Sequence, residues 1–347
     1  MRVLIAPDCF GGTLSAPEAA QAMADGWHAS APDDELVLRP LTDGGPGFVD
    51  VLHTVLGGTL HTLEVTGPLG EPVTATWLEH DGTAYVESAQ ANGLHLVPKA
   101  DRRPLDATTR GVGELMVAAR DAGVHTIVVG LGGSATTDGG QGMLEVAAPM
   151  LDAASISSAV DWPKIIAATD VENPLLGPHG AAHTFGPQKG ASPQDVDELE
   201  ARLEAFSAGK GPHLRDQPGA GAAGGLGFGL FLLGATRVSG AGLVRDLTGL
   251  DKAMATAQLV LTGEGSFDWQ SLRGKLVTSV ASAAAERGLP CLVLAGQVSV
   301  GRREAAAAGI EAAFAVVEHA GSVDAAFADP AGTLAALARH VASQWSA

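Results

Sequence analysis

Cysteine occurs only twice in the 347 residues, as Cys9 and Cys291, so no disulfide framework holds the chain and its stability must come from packed cores. Positive charge is equally scarce. Lys+Arg number 21 against 39 Asp+Glu, a formal net charge of -18, and only six residues are lysine. Such a field repels phosphate backbones and anionic lipid, which excludes a nucleic-acid or membrane-surface partner. The deficit is steepest early, with 3 basic and 13 acidic side chains in the first hundred residues. Long apolar runs are missing too: the most apolar stretch, Ala222 to Ala235, is too short and too rich in glycine to span a bilayer. Pro7 and Asp8 interrupt the first apolar run too early for a signal peptide, so the expected compartment is the cytoplasm. No repeat of fixed period is present, and there is no low-complexity tail.

What is present is a globular composition, 46% hydrophobic and 17% charged, long enough for two domains. Short apolar runs alternate with helical patterns, the signature of βα units around a mostly parallel sheet. Val3-Leu4-Ile5-Ala6 reads as a buried strand, Ser15-Ala16-Pro17-Glu18 as a capping box, and Ala20, Met23, Ala24 and Trp27 follow at helical spacing. A second strand is expected over Leu36 to Leu41, and a helix opened by Pro46 and closed by Gly57-Gly58. From Thr62 to Ala89, three β-rich runs separated by Gly67-Pro68-Leu69-Gly70 and Asp81-Gly82 read as an antiparallel meander. Strands are expected again at 126–131, 165–169, 259–262 and 291–295, an acidic helix from Ser192-Pro193, a helix from about Leu272, and a last helix within 325–345. The late units resemble the first in kind. The expected fold is therefore α/β with two domains: a mostly parallel Rossmann- or flavodoxin-like sheet formed from both chain ends (1–65 with 255–347), an inserted domain with a mixed sheet (66–254), and a ligand cleft between them.

In open α/β sheets, ligands bind beyond the carboxyl ends of the strands. Those positions are acidic here: Asp8, Asp43, Asp138, Asp170 and Glu264, with Asp268 four residues further on. One such residue alone is ordinarily a turn or helix cap. Five on one rim repel each other unless a cation, a proton or a reaction uses them, so a Mg²⁺ site or a general base is the economical explanation. Glycine loops supply the complement, because bare N–H groups bind phosphate oxygens. The best of them is Gly132 to Gly140, with Gly133, Ser134, Thr137 and Asp138; Gly44 and Gly45 follow Asp43. Two of the six lysines, Lys189 and Lys275, lie in glycine-flanked loops that deliver a point charge to an anion. Gly219 to Gly224 satisfies Gly-x-Gly-x-x-Gly, but Asp216-Gln217-Pro218 precedes it where a dinucleotide fingerprint needs a strand. Both cysteines read as buried small hydrophobes.

These motifs, taken in order, resemble the bacterial glycerate kinase family of the ATP-dependent glycerate 2-kinase type. The resemblance rests on Ile5-Ala6-Pro7-Asp8-Cys9-Phe10 with Leu14-Ser15-Ala16, Asp43-Gly44-Gly45, Val65 to Gly70, Gly130 to Gly140, Asp170-Val171-Glu172-Asn173-Pro174-Leu175, Phe185 to Ala191, and Thr262-Gly263-Glu264-Gly265 through Gly274-Lys275. It implies transfer of the γ-phosphoryl group of ATP to D-glycerate with Mg²⁺, giving 2-phosphoglycerate, by a monomer or homodimer. On that basis Asp170, Asp43 and Asp138 are the catalytic candidates. Asp8 and Glu264 are placed at the metal, with Asp268 beside ATP. Gly44, Gly45, Gly133, Ser134, Thr137, Lys189 and Lys275 are placed at anionic groups. The chain departs from the family pattern at Gly11, at Pro46-Gly47 and in a shortened segment, Ala153 to Lys164; Arg110 and Arg273 are the basic residues that would stand in for a lysine at position 11. A kinase of another small hydroxy acid, or a catalytically silent sugar-acid sensor on the same fold, is the alternative.

Overall fold

The computed structural model describes residues 1–148, 162–273 and 276–346, which form thirteen strands in three sheets. In chain order the strands are β1 (Arg2–Ile5), β2 (Glu35–Leu38), β3 (Thr59–Thr66), β4 (Pro72–His80), β5 (Thr83–Glu87), β6 (Thr126–Gly130), β7 (Lys164–Ala168), β8 (Thr236–Val238), β9 (Leu259–Thr262), β10 (Ser266–Phe267), β11 (Cys291–Ala295), β12 (Gln297–Val298) and β13 (Ala312–Ala315). Two compact units share them: Met1–Thr42 with Val244–Ala347, and Asp43–Leu243.

In the unit built from both chain ends, β13-β11-β9-β1-β2 form one parallel sheet. Val3, Leu4 and Ile5, Leu259 to Leu261 and Cys291 to Ala295 are buried on both faces, which is why they read as unbroken apolar runs. Taken in order of appearance, the sheet runs second, first, third, fourth, fifth. That is a doubly wound order, and its direction reverses between β1 and β9. The helix Ala16–Ser30 starts at the expected capping box, with Ser15 and Glu18 bonded reciprocally. It packs on the helix Pro330–Trp345.

Two expectations are corrected here, and one strand was not foreseen. The last helix is two, Val323–Ala328 and Pro330–Trp345, because Asp329 leaves the helical path and caps the second by accepting the Gly332 N–H at 2.9 Å. The helix expected from Leu272 runs Leu276–Ala285, after a 3₁₀ turn at Ser271–Arg273. β13 escaped sequence reading because Ala312, Ala313 and Ala315 carry little β propensity.

The other unit has a six-stranded sheet, β3-β4-β5-β6-β7-β8, antiparallel from β3 to β5 and parallel onward. Its meander turns where glycine marked it; Asp81 and Gly82 both take positive φ, 47° and 69°, as a tight hairpin requires. The helix Phe48–Leu56 begins after Gly47, itself left-handed at φ 91°, so Pro46 lies outside the helix it was expected to open. This helix packs on β4 and β5, and β3 edges the same sheet, so residues 43–65 stand with the inserted unit where the sequence placed the crossover at 65. At the other crossover, Arg245 and Arg287 both pair with Asp251, at 2.7 and 2.8 Å, and tie 244–254 to the end-built unit. Each unit has its own apolar core. Among the described residues no helix is long and apolar enough to cross a membrane.

The contact between the helices Ala16–Ser30 and Pro330–Trp345 is closest at Gly26, where a Cβ would run into the carbonyl oxygen of Ala335. Backbone cannot move aside as a side chain can, so Gly26→Ala is expected to destabilise the protein by about 2 kcal/mol. Urea unfolding checks this, and an unchanged midpoint would contradict the packing described.

Candidate active site

The residues singled out by sequence fall into two groups, one in each unit. In the inserted unit, the Asp43 carboxylate accepts the Gly45 N–H at 3.0 Å and closes a tight turn. Asp170, just past β7, accepts the Ser239 hydroxyl at 2.6 Å and the Ala241 N–H at 2.9 Å, fixing the start of the helix Gly240–Leu247. Gly240 in turn backs onto the Asp43 carbonyl so closely that a Cβ there would collide with it. Asp43 and Asp170 are thus carried on adjoining backbone, and both are exposed to solvent. The loop after β6 reaches the same turn: a Cβ on Gly132 would lie 2.7 Å from the Gly45 Cα, and one on Gly133 2.8 Å from the Pro46 ring. Pro46, a departure from the family pattern, is therefore part of the contact between the two loops.

Further along that loop, Ser134, Thr136 and Thr137 are buried. The Lys189 ammonium, 2% exposed, donates to the Ser134 hydroxyl at 3.1 Å and to the Thr136 carbonyl at 2.5 Å. Burial pushes its pKa down to about 7, against the opposing pull of Asp138. Asp138 accepts the Thr109 N–H and hydroxyl, both at 2.8 Å, and the Gly140 and Gly142 N–H groups, both at 3.1 Å. Burial raises its carboxyl pKa, and these four donors oppose the rise. They also show what Asp138 does: it braces the start of the helix Gln141–Ala147 against that of Arg110–Asp121. The Thr137 hydroxyl is buried and has no hydrogen-bond partner among the described residues.

The glycine run 219–224 has a packing role. Ala223, Gly224 and Gly225 are left-handed in succession, and a Cβ on Gly224 would collide with the Thr136 carbonyl and lie 2.9 Å from the Lys189 ammonium. A side chain there would displace the lysine from beneath the loop.

In the end-built unit, a cavity of about 480 Å³ opens at the switch point of the parallel sheet. Asp8 and Gly11 from the loop after β1, Glu264 just past β9, and Ser266 and Asp268 in and just past β10 line it. Asp268 also accepts the Gln270 N–H at 2.8 Å in a turn. Cys9 lines the cavity and is half-buried rather than buried as expected; Cys291 is wholly buried, and burial pushes its thiol up to about 12. Lys275 and most of the shortened segment 153–164 lie outside the described residues. Of the two stand-in arginines, Arg110 pairs with Glu114 at 3.3 Å and Arg273 stacks on Trp269 at 4.5 Å.

Two residues escaped sequence reading. Arg237 on β8 sits in register with Ala167, and its guanidinium meets Glu172 at 3.3 Å, which brings a cation to the end of β7; a three-residue strand gave no pattern to find it by. Glu87, the last residue of β5, is 4% exposed and accepts the Val49 N–H at 3.3 Å at the open N-terminus of the helix Phe48–Leu56. It caps that helix from another strand, so no local signal marks it. Its carboxyl pKa is raised to about 7, chiefly by burial and further by Asp50, while the backbone donors and Gln90 pull against the rise. The folded protein then holds this proton more tightly than the unfolded chain. Its contribution is full below the ordinary carboxyl pKa and lost as pH rises through 7. Between pH 5 and 8 the stability of a Glu87→Gln variant relative to wild type is expected to improve by about 2 kcal/mol. Urea titrations at four pH values check this; a constant difference would contradict it.

The model of the glycerate kinase family matches residues 3–154 and 146–346. The chain is 38% identical over 371 residues to glycerate 2-kinase of Escherichia coli, covering 99% of this chain and 97% of the relative. It is 49% identical over 352 residues to an uncharacterised protein of Mycobacterium bovis, covering 99% and 91%. Its fold matches the crystal structure of a glycerate kinase 2 candidate from Salmonella typhimurium, with a TM-score of 0.79, 35% identity, and coverage of 100% of this chain and 98% of that one. The chain belongs to the glycerate kinase family.

Proposed function

We propose that this chain transfers the γ-phosphoryl group of ATP to the 2-hydroxyl of D-glycerate, releasing ADP and 2-phosphoglycerate. The observation that carries the reading is the cavity at the sheet's switch point, lined by three carboxylates in a chain of this family. Relatives with glycerate kinase names, over nearly their whole length, support the acceptor.

Phosphoryl transfer asks the protein for positioning, charge neutralisation and a group to receive the hydroxyl proton. Asp8, Glu264 and Asp268 are hard oxygen donors on one cavity wall, which fits Mg²⁺. Among the described residues no three His, Cys, Asp or Glu side chains are arranged to cage an ion, and Mg²⁺ is commonly held by one or two carboxylates, water and substrate phosphates. Asp8 and Glu264 would hold it, and it would neutralise phosphate charge there.

Asp43 is the better placed base. Its carboxylate closes one turn and is otherwise open to solvent, whereas both Asp170 oxygens accept bonds that fix a helix start. As the 2-hydroxyl oxygen bonds to the γ-phosphorus and the bond to the ADP oxygen breaks, the hydroxyl proton passes to the Asp43 carboxylate. Arg237 is the cation available to the substrate's carboxylate, and Lys189 holds the 132–140 loop from beneath.

The first test is ADP release from Mg²⁺-ATP with and without D-glycerate, beside a panel of small hydroxy acids. D-glycerate-dependent release is expected. Response to another acid alone would replace the acceptor, and binding without turnover would favour a sensor. Asp43→Asn is expected to lower kcat by roughly 10²–10⁴-fold while leaving ADP affinity within about twofold. Near-normal kcat would remove Asp43 as the base.

A further inference from the structure

The cavity at the switch point has a second wall of different chemistry. Opposite in character to the carboxylates, it is formed by Val316, Val317, Ala326, Phe327, Pro330 and Leu334, and none of these carries a polar side chain. They come from three helices, Val316–Ala320, Val323–Ala328 and Pro330–Trp345. One cavity thus joins an anionic strand-end wall to an apolar helical wall, which suits a ligand with a flat apolar end and a polyanionic end carried with a cation. A three-carbon hydroxy acid has no apolar end and fills a small part of about 480 Å³.

Phe327 is the distinctive residue of the helical wall. It is 59% exposed, the most exposed large apolar side chain among the described residues. The next, Trp269, is covered by the Arg273 guanidinium, whereas Phe327 has no aromatic or cationic partner among the described residues. Its backbone is nonetheless tightly held. The Ser322 hydroxyl accepts the Ala325 N–H at 3.1 Å, Asp329 accepts the Gly332 N–H at 2.9 Å, and the Thr333 hydroxyl donates to the Ala326 carbonyl at 3.3 Å. An unstacked aromatic ring on a fixed corner at a cavity wall is a ready surface for a planar ring.

We infer that the helical wall is the nucleoside subsite of the phosphoryl donor, with Phe327 stacking on the purine while the polyphosphate lies toward Asp8, Glu264 and Asp268. The inference rests on the ATP-donor reading above and adds to it where the base lies and which residue holds it. Base–aromatic stacking tolerates any purine and is lost with the ring, so it separates base affinity from phosphate affinity.

The test measures binding of ADP and of inorganic tripolyphosphate to the full chain by calorimetry in Mg²⁺ buffer, for wild type, Phe327→Ala and Phe327→Trp. The Ala variant is expected to bind ADP about 5–10-fold more weakly and tripolyphosphate within about twofold of wild type, and the Trp variant to recover most of the ADP affinity. ADP binding unchanged in F327A would overturn the inference. So would equal weakening of both ligands, which would mark a structural effect. A wild type that binds ADP but forms none from ATP with D-glycerate would contradict the kinase reading alone, leaving the subsite intact.

Discussion

Between Gly224 and the carbonyl of Thr136 there is no room for a methyl group, and beneath that carbonyl sits the buried ammonium of Lys189. The same closeness recurs where Gly240 meets Asp43 and where Gly132 meets Gly45. Loops at the strand ends of the inserted unit therefore pack backbone against backbone, and the positions of Asp43, Asp170 and the 132–140 loop follow from those approaches. Several N–H groups of these loops are spent on that packing: Gly45 donates to Asp43, Ala135 to the Asn92 carbonyl, Gly139 to the Gly224 carbonyl and Gly140 to Asp138.

Charge is distributed in keeping with that arrangement. The net charge of -18 is borne partly by carboxylates turned to structural use: Asp138 braces two helices, Asp251 joins Arg245 to Arg287, and Glu87 caps a helix from across the sheet. Those on the cavity wall of the end-built unit, Asp8, Glu264 and Asp268, lie at the carboxyl ends of parallel strands, where a doubly wound sheet presents its loops. Acidic residues alone would repel a nucleotide there, so the donor reading is tied to a cation arriving with the phosphates.

Much of this was legible from sequence wherever the signal is local. The capping box at Ser15, the meander turns at Gly67 and Asp81-Gly82, and the buried strands at Val3, Leu259 and Cys291 follow from short-range pattern. So did the acidic strand ends, because an Asp or Glu closing an apolar run is visible without a structure. What could not be read depends on partners distant in the chain. Glu87 caps a helix 38 residues away, and Arg237 becomes notable only through its place beside β7. Asp138 is a catalytic candidate by sequence; its Gly140 and Gly142 donors are local, but the two from Thr109, 29 residues away, are visible only in the fold. Phe327 falls within the single final helix expected over 325–345, and its exposure at the cavity follows only once Asp329 and Pro330 break that helix.

The central claim, transfer to the 2-hydroxyl of D-glycerate, is tested most directly by proton-coupled phosphorus NMR of the product formed from Mg²⁺-ATP and D-glycerate. A phosphate on the 2-oxygen couples to the single proton on C2 and gives a doublet, which the account predicts. A triplet, from the two protons on C3, or the absence of any phosphorylated glycerate, would contradict it.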